Sequence, residues 1–575
     1  MTRQVLAGLA LIASFIIAVQ WAVDCYDEPD RLDGNYGHAT IDFGGQWLMG
    51  RMLVTGNARR LYDRIALRRV VAEAYPLHDS EPARGTANRA NSATGQEGQA
   101  ADTSSEQPRG KRNDTDQLLD WLAGDDRTEN SDKLSGYLIG LAGHDSIGEA
   151  CLLTAGHETW HEVGGALYPP INAYLYAPLG LLQPRPAYRA MQVFNVALVF
   201  AIAFLVQRLT GGRIWWQIAA ILLMGFPGFS GAFNLAQNSL ISVFLLIFGW
   251  RQVQQGRTGL AGFIWGFMAF KPVWAASFFL VPLWTRRWRM AIAMAVTGAA
   301  LSASTLPVVG VQGWKDWLAV GSEASRTYAT CETWIFLSRD LIGIPRRYLL
   351  TFKDDYAASD DPRTWLASTI GLGLWITPLT VTTAAVLRRG RPITRVTSGP
   401  QAAFPLLGAW LVCYHFMYYD VLLAYLPCCL LYAEPRRVCR RILHGMPPGT
   451  WWGLARSALA TVLLICLSLV PYICSIQDAT YHFPPWDTFI LVTLWLWCDF
   501  AHGQVSVRSP QVSDGDGGVG RAHQSLADQN GADLAGEQSF HVGSTTNATL
   551  TDQGDPRRYG GGDFEGMLEP RNESP

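Results

Sequence analysis

The length, composition and charge of this chain exclude several classes of protein. Its 575 residues are 49% hydrophobic and only 16% charged, and they include 22 Trp. Soluble domains carry about 25% charged residues, so the low charge content predicts a membrane protein. The formal net charge of −2 offers no basic surface to nucleic acid and indicates no acidic partner.

The first predicted element is an apolar helix over residues 5–23, which carry no charge. At 1.5 Å of rise per residue it is long enough to cross a bilayer. It is longer than the apolar core of a signal peptide, which has about 7–15 residues, and no small-x-small site follows it. We therefore expect an uncleaved signal-anchor helix. The polar stretch HATIDFGGQW (38–47) comes next, and residues 47–71 predict an amphipathic helix on the membrane surface.

Two polar segments interrupt the apolar pattern, at roughly residues 77–133 and 503–575. Both are rich in Gly, Ser, Asn, Asp and Gln and have no apolar period, so we expect both to be disordered. The chain then divides into four parts. Residues 1–76 hold the first membrane helix and an external loop with the first candidate catalytic residue, and 77–133 form the polar insertion. Residues 134–500 form the polytopic membrane domain, and 501–575 form a cytoplasmic tail.

Eleven further apolar stretches predict an all-α polytopic membrane protein with about twelve crossings and external juxtamembrane helices. Several of the stretches are short for a hydrocarbon core about 30 Å thick. A long loop is expected between the sixth and the seventh, over residues 310–363. The stretches lie near residues 188–206, 214–230, 239–250, 260–270, 273–284, 291–309, 365–387, 402–416, 421–433, 451–470 and 485–500.

The topology depends on the proline-interrupted stretch at residues 168–179. Prolines free backbone groups, so we interpret it as a re-entrant or interfacial segment; a kinked span is the alternative. If it does not cross, five short basic loops all lie in the cytoplasm, as expected for Lys and Arg in short loops. Both termini are then cytoplasmic, and the candidate residues below are external. The basic residues of these loops are Arg208, Arg213, Arg251, Arg257, Arg286, Arg287, Arg289, Arg388, Arg389, Arg391, Arg436, Arg437, Arg440 and Arg441.

Asp42 is the first candidate for chemistry, because it lies just outside the first membrane helix. A carboxylate acts as a general base on a hydroxyl within hydrogen-bond reach. The alternative is that Asp42 caps the helix that follows it, since Asp favours that position.

Cationic residues are candidates for binding an anionic lipid. Lys271 lies between two apolar stretches, where a charge usually pairs or faces a cavity, and lysine binds phosphate as a point charge. The alternative is a lysine in a turn that extends to the headgroups. In the external loop, Arg339 also suits a phosphate, and Glu323 is a weaker candidate.

Two polar stretches between apolar segments are candidates for binding sugar. The first contains Asn234, Gln237 and Asn238, whose amides can hold hydroxyl groups but are also common turn formers. The second, HFMYYD (415–420), contains His415, Tyr419 and Asp420, which can orient an acceptor or a donor. Its alternative is an aromatic belt at the membrane interface. No nucleotide-binding or metal-protease motif occurs in a suitable context.

These residues form a pattern when they are taken in chain order. A signal-anchor helix is followed by Asp42 in the triplet IDF, by YPP from Tyr168 with APL from Ala177, by Gln237-Asn238, by Lys271-Pro272 and by the stretch 415–420. In this order the chain resembles the family 87 glycosyltransferases, which are polytopic GT-C enzymes that include polyprenyl-phosphate-mannose-dependent mannosyltransferases. The resemblance covers roughly residues 1–500 without the polar insertion, and the insertion and the tail depart from the family pattern.

The resemblance implies a GT-C-like bundle, a reaction and a set of roles. Asp42 would deprotonate an acceptor hydroxyl on a lipid or glycan, and a polyprenyl-phosphate sugar, typically mannose, would be the donor, with inversion at its anomeric carbon. Lys271 and Arg339 would neutralise the phosphate, so neither a metal nor another cofactor is required. The resemblance also implies a bacterial plasma membrane and an active site facing outside. The residues expected to contact the sugar or the acceptor are Tyr168, Asn234, Gln237, Asn238, His415, Tyr419 and Asp420.

Three other functions remain open from the sequence. A transporter or lipid flippase would show internal repeats and charges at the middle of several spans, and neither pattern is evident. A related GT-C enzyme that transfers a polymer or another sugar is equally compatible with the motifs. A non-catalytic membrane scaffold is disfavoured by the presence of Asp42 and Lys271.

Overall fold

A computed structural model describes residues 2–26, 42–74, 154–156, 163–164, 166–353, 356–357, 361–389, 396–443, 451–476 and 484–507. The predicted polar insertion lies outside the described residues. So does the predicted tail, except that the last helix ends at Val507, beyond the boundary expected at residue 500.

The described chain is almost entirely helical, which confirms the predicted all-α class. Its four strands have two or three residues each and form two antiparallel pairs, β1 (Thr154–Gly156) with β2 (Val163–Gly164) and β3 (Phe352–Lys353) with β4 (Tyr356–Ala357). Three short 3-10 helices cover Ala58–Arg60, Phe267–Phe270 and Tyr418–Ala424. The α-helices are α1 (Thr2–Tyr26), α2 (Asp42–Val54), α3 (Arg64–Ala74), α4 (Ile171–Gly180), α5 (Pro184–Leu209), α6 (Trp216–Met224), α7 (Phe229–Asn234), α8 (Ser239–Gln254), α9 (Thr258–Gly266), α10 (Pro272–Trp284), α11 (Trp288–Thr330), α12 (Glu332–Leu337), α13 (Gly343–Leu349), α14 (Arg363–Arg389), α15 (Gly399–Leu411), α16 (Tyr425–Leu431), α17 (Ala433–Leu443), α18 (Trp451–Ile476) and α19 (Trp486–Val507).

Several helices are apolar enough for a membrane. Four of them also have the length to cross one: Pro184–Leu209, Trp288–Thr330, Arg363–Arg388 and Trp451–Pro471. Shorter apolar helices cover Val5–Gln20, Ser239–Gln254, Thr258–Phe270 and Pro272–Trp284. The predicted polytopic membrane architecture is confirmed, while the total of about twelve crossings stays a prediction.

The main apolar core lies among the helices of the bundle. Its largest fully buried side chains include Trp250, Trp265, Trp274 and Trp410. Large apolar side chains such as Val193 and Ile292 point outward and are well exposed. In water they would form a costly patch, so we assign these outward faces to lipid.

A second apolar core lies at one end of the bundle, formed by α2, α3, α4 and the second half of α11. We expected residues 47–71 to form one amphipathic surface helix, and that expectation is wrong. The chain breaks between α2 and α3, because Gly56 adopts a positive φ of 79° and the Asp63 carboxylate accepts hydrogen bonds from the first backbone N–H groups of α3. Residues 43–50 of α2 are buried, so α2 is enclosed by this second core.

The long loop predicted at residues 310–363 is largely helical instead. Helix α11 continues through Gly310, which adopts non-helical angles (φ 72°, ψ 173°) that separate two helical halves. Residues 311–330 are less apolar than a membrane span, which is why the hydropathy pattern indicated a loop. Their Trp314 and Trp317 pack onto the second core, so this half of α11 covers the end of the bundle.

The basic loops gather at the opposite end of the bundle. Arg436 donates a hydrogen bond to the Arg213 carbonyl, and Gln254 donates one to the Leu209 carbonyl at 3.2 Å. Arg287 donates to the Val396 carbonyl at 3.3 Å, in the segment before α15. Helix α4 has only ten residues, about 15 Å of helix, which is too short to span. Both observations favour the topology in which the proline-interrupted segment does not cross.

A close approach of two glycines joins α2 to α4 and supplies a test of the second core. A Cβ atom on Gly50 would overlap the Tyr176 carbonyl, and one on Gly180 would overlap the backbone of Gly50. Gly50→Ala should therefore destabilise the protein by about 1–3 kcal/mol, as overpacking does. Thermal unfolding of the purified protein measures the loss.

The matched control is Gly373→Ala in α14, where a Cβ meets nothing within 4 Å. Alanine has the higher helix propensity, so this variant should keep or slightly raise the unfolding temperature. Equal behaviour of the two variants would contradict the close packing of α2 on α4.

Candidate functional site

A cavity of about 230 Å³ lies at the end of the bundle away from the basic loops. Lys271 precedes α10 and Arg286 follows it, so the cavity and the basic loops are separated by the length of that helix. This volume is smaller than the roughly 300–1,000 Å³ of pockets for drug-sized ligands, so only a small group can be enclosed in it. The polar and charged residues that line it are Tyr168, Lys271, Ser325, Tyr328, Asp340, Arg346, Tyr414, His415, Tyr419 and Asp420.

One wall of the cavity is made by two paired backbone segments. Ser338 and Met417 form an antiparallel bridge, and the Arg339 N–H donates to the Phe416 carbonyl at 3.0 Å. This pairing holds the segment before α13 beside the polar stretch at 415–420. Two segments that lie far apart in sequence therefore present their side chains to the same space.

A buried ion pair forms the floor of the cavity. Lys271 Nζ lies 2.5 Å from Asp420 Oδ1, and both side chains are less than 8% exposed. The Ser239 hydroxyl at the start of α8 donates to the same carboxylate oxygen at 2.6 Å. Lys271 also lies 5.4 Å from the ring centre of Tyr419, within the range of a cation–π contact. Three sequence-predicted residues, Lys271, Tyr419 and Asp420, are thus in contact with one another.

Asp340 and His415 form a second polar cluster on the cavity wall. His415 Nδ1 lies 3.1 Å from Asp340 Oδ2, and the imidazole stacks on Tyr328 with ring centres 4.3 Å apart. The Ser338 hydroxyl and the Gly343 N–H also donate to Asp340. Burial alone would raise the pKa of Asp340, but the bonds from His415, Ser338 and Gly343 outweigh it and hold that pKa below the ordinary value. The carboxylate therefore stays ionised and orients His415.

A chain of amide groups connects α2 to the cavity. Gln237 Oε1 accepts hydrogen bonds from Gln46 Nε2 and from the Tyr168 hydroxyl, both at 3.2 Å. Asp42 is the first residue of α2, one helical turn before Gln46, and positions four apart lie on the same face of a helix. The Asp42 side chain is outside the described part of the structure. Its backbone position is about 6 Å along the helix axis from Gln46.

The remaining predicted residues lie outside the cavity lining. The Asn234 backbone carbonyl accepts a hydrogen bond from the Tyr188 hydroxyl at 2.6 Å, and its side-chain Oδ1 is buried without a partner among the described residues. Both side-chain atoms of Asn238 are buried and have no partner among the described residues. Glu323 pairs with Arg64 of α3 at 2.9 Å.

Arg339 is buried behind the cavity wall and is 5% exposed. Its guanidinium donates to the carbonyls of Phe336 and Ser338 and lies 3.3 Å from Asp487. Of the two cations predicted to bind phosphate, Lys271 lines the cavity and Arg339 does not.

Sequence reasoning missed two charged residues of the cavity, Asp340 and Arg346. Both belong to a segment expected to be a loop, where charged residues carry no periodic signal. Asp340 directly follows Arg339, so the dipeptide itself was the available sign of a polar site in that loop.

A second cavity, of about 530 Å³, lies at the basic end of the bundle. It is larger, but Arg286 is its one charged lining residue, beside Leu283, Trp284, Trp288, Val386 and Leu387. None of the candidate residues lines it. A site for chemistry needs polar groups that converge, so we place the candidate active site in the smaller cavity.

The fold and the site define a polytopic membrane protein with a polar, mixed-charge cavity at one end. Residues 166–413 match the family model of glycosyltransferase family 87. The resemblance found in the sequence is confirmed over these residues. The matched segment contains Tyr168, Lys271 and Arg346, whereas Asp42 and Asp420 lie outside it. No curated protein and no solved structure matches the chain at a significant level.

The Lys271–Asp420 pair leads to a stability prediction. Lys271→Met leaves Asp420 buried without its cation, and Asp420→Asn leaves Lys271 unpaired, so each should destabilise the protein by about 3–5 kcal/mol. The double variant removes both charges and should be more stable than the sum of the two losses predicts. Thermal unfolding of wild type, the two single variants and the double variant gives the coupling free energy between Lys271 and Asp420.

Arg60→Met is the control, because Arg60 pairs with Asp63 on the surface and is about half exposed. It should cost less than about 1 kcal/mol. Additive losses in the Lys271 and Asp420 variants would contradict a direct ion pair at this site.

Proposed function

We propose that this protein is an integral-membrane hexosyltransferase that moves a hexose, with mannose the first candidate, from a polyprenyl-phosphate donor to a lipid or glycan acceptor. The observation that carries the proposal is a cavity formed in part by the segment that matches family 87, in which Lys271, Arg346 and two carboxylates surround a space of sugar size. A polyprenyl chain does not fit inside it and has to lie against the apolar outer surface of the bundle. A donor with its sugar at one end and its lipid at the other satisfies both constraints.

The proposed reaction is a single displacement. Asp42 takes the proton of an acceptor hydroxyl, and the hydroxyl oxygen attacks the anomeric carbon from the face opposite the phosphate. The bond between the anomeric carbon and the phosphate oxygen breaks, and polyprenyl phosphate leaves with both bonding electrons. One displacement inverts the anomeric configuration. Cationic side chains stabilise the negative charge that develops on the leaving phosphate.

The assignment of the base to Asp42 is supported by the hydrogen bonds that the two carboxylates of the cavity already accept. Asp420 accepts bonds from Lys271 and Ser239, and Asp340 accepts bonds from His415, Ser338 and Gly343. A carboxylate that is already satisfied in this way is a weak proton acceptor, since its charged form is stabilised. Asp42 begins a helix that reaches the cavity wall through Gln46, Gln237 and Tyr168.

The proposed location is a bacterial plasma membrane with the site facing outside. The arginines of the short basic loops lie at the end of the bundle opposite the candidate site, and short loops rich in Lys and Arg stay in the cytoplasm. The sequence-level alternative, a transporter or flippase, has no comparable support, because the family match is to a transferase.

Asp42→Asn tests the proposed base. Membranes containing the protein are supplied with polyprenyl-phosphate mannose bearing a labelled sugar and with lipid extract as acceptor. A general base contributes about 10²–10⁴-fold, so the variant should lose at least a hundredfold in turnover while it unfolds at the wild-type temperature.

Asp316→Asn is the matched control, since Asp316 lies in the external half of α11 and does not line the cavity. It should transfer sugar at the wild-type rate. Full activity in Asp42→Asn would place the base elsewhere, and no transfer by the folded wild type with any lipid-linked sugar would refute the proposed reaction.

A further inference from the structure

In the described part of the chain, four cations lie at the cavity or behind its wall, and three of them are already paired or hydrogen-bonded. Lys271 is paired with Asp420. Arg339 donates to two carbonyls and pairs with Asp487. Arg347 is buried and donates to the carbonyls of Ile335, Phe336 and Ser338. The contacts of these three side chains are made within the protein, and they stabilise the chain segments around the cavity.

The fourth cation, Arg346, differs from the others. It lines the cavity and is partly exposed, and its guanidinium has no hydrogen-bond or ion-pair partner among the described residues. An arginine fork binds phosphate through two parallel N–H groups, a geometry that lysine lacks. Arg346 is therefore the charge that the cavity offers to an anion.

We propose that Arg346 binds the phosphate group of the lipid-linked donor and that Lys271 acts as a positioning residue for Asp420. This assignment rests on the proposed function, because the phosphate it names belongs to the proposed donor. It replaces the expectation that Lys271 and Arg339 provide the main phosphate contacts.

The position of Arg346 agrees with the shape of such a donor. The phosphate joins the sugar to the lipid, so its binding group has to lie where the cavity meets the lipid-facing surface. Lys271 is 6% exposed and lies at the cavity floor. Arg346 belongs to the last turn of α13, and α13 packs against the membrane-length helix α14.

The surroundings of Arg346 indicate the depth of a lipid headgroup. Tyr348, two residues further, is 57% exposed, and Trp365 at the start of α14 is 72% exposed. Exposed Tyr and Trp are enriched at membrane–water interfaces. Gly371 of α14 allows close approach to the Ile342 backbone, so the start of α13 lies against α14. Leu366 and Ile370 give α14 an exposed apolar face. A polyprenyl chain that leaves the cavity beside Arg346 meets this face.

The test is a binding measurement on the purified full-length protein in phosphatidylcholine nanodiscs. Geranylgeranyl phosphate is the anionic probe and geranylgeraniol is the uncharged probe with the same chain. Wild type, Arg346→Ala, Arg346→Lys and Lys271→Met are compared. Arg326→Ala is the matched control, because Arg326 is an exposed arginine next to Ser325 and does not line the cavity.

Wild type should bind geranylgeranyl phosphate more tightly than geranylgeraniol. Arg346→Ala should weaken phosphate binding by about tenfold or more and leave alcohol binding unchanged, because hydrogen bonds between charged groups are the strong ones. Arg346→Lys keeps the charge and loses the forked pair of N–H groups, so its affinity for the phosphate probe should lie between those of wild type and Arg346→Ala. This variant carries the test if Arg346→Ala does not fold. Arg326→Ala should match wild type.

Three results would overturn the assignment. If Arg346→Ala keeps the preference for geranylgeranyl phosphate over geranylgeraniol and Lys271→Met loses it, Lys271 is the residue that binds the phosphate. Equal displacement of the probe by dioleoyl phosphatidic acid would show a site for any lipid phosphate. A wild type with no preference for the phosphate would refute the proposed donor class itself, and that failure appears without any variant.

Discussion

Lys271 and Asp420 bring together segments separated by 149 positions in the sequence, and their ion pair forms the floor of the cavity. Removing two charges from water costs several kcal/mol each, and close pairing with further hydrogen bonds offsets this cost. Ser239 provides one such bond, so the starts of α8 and α10 are held at the level of the 3-10 helix at Tyr418–Ala424. The cavity depends on this constraint, because its floor is the pair and its walls are the chain segments on either side.

Further chain segments at this end of the bundle turn this floor into a cavity. The second half of α11 contributes Trp317 and Tyr328, and the bridge between Ser338 and Met417 supplies a rigid wall. The wall carries the oriented Asp340–His415 pair. An apolar bundle thus supports a small polar space at its end. For the donor that we propose, this division of polar and apolar surface would place the sugar in the polar space and the lipid chain against the apolar surface.

The sequence predicted the long apolar helices well, because α5, α14 and α18 carry strong continuous patterns. It failed where tertiary packing decides the structure. Helix α2 is enclosed although its pattern indicated a surface helix, and residues 311–330 are helical although their hydropathy indicated a loop. Lys271 and Asp420 were both recognised as candidates, but their pairing is a long-range contact that no local pattern encodes. Arg346 was missed for the same reason, since its significance depends on the partners that the neighbouring arginines have taken.

The central claim is that the sugar and phosphate of a lipid-linked donor occupy the cavity between Lys271, Asp340 and Arg346. A cryo-electron microscopy structure with a phosphonate analogue of polyprenyl-phosphate mannose tests this directly. The account predicts density for the sugar inside this cavity, the phosphonate within hydrogen-bond distance of Arg346, and the chain along α14. Density for the analogue in the cavity beside Arg286 at the basic end, with the predicted cavity empty, would contradict it.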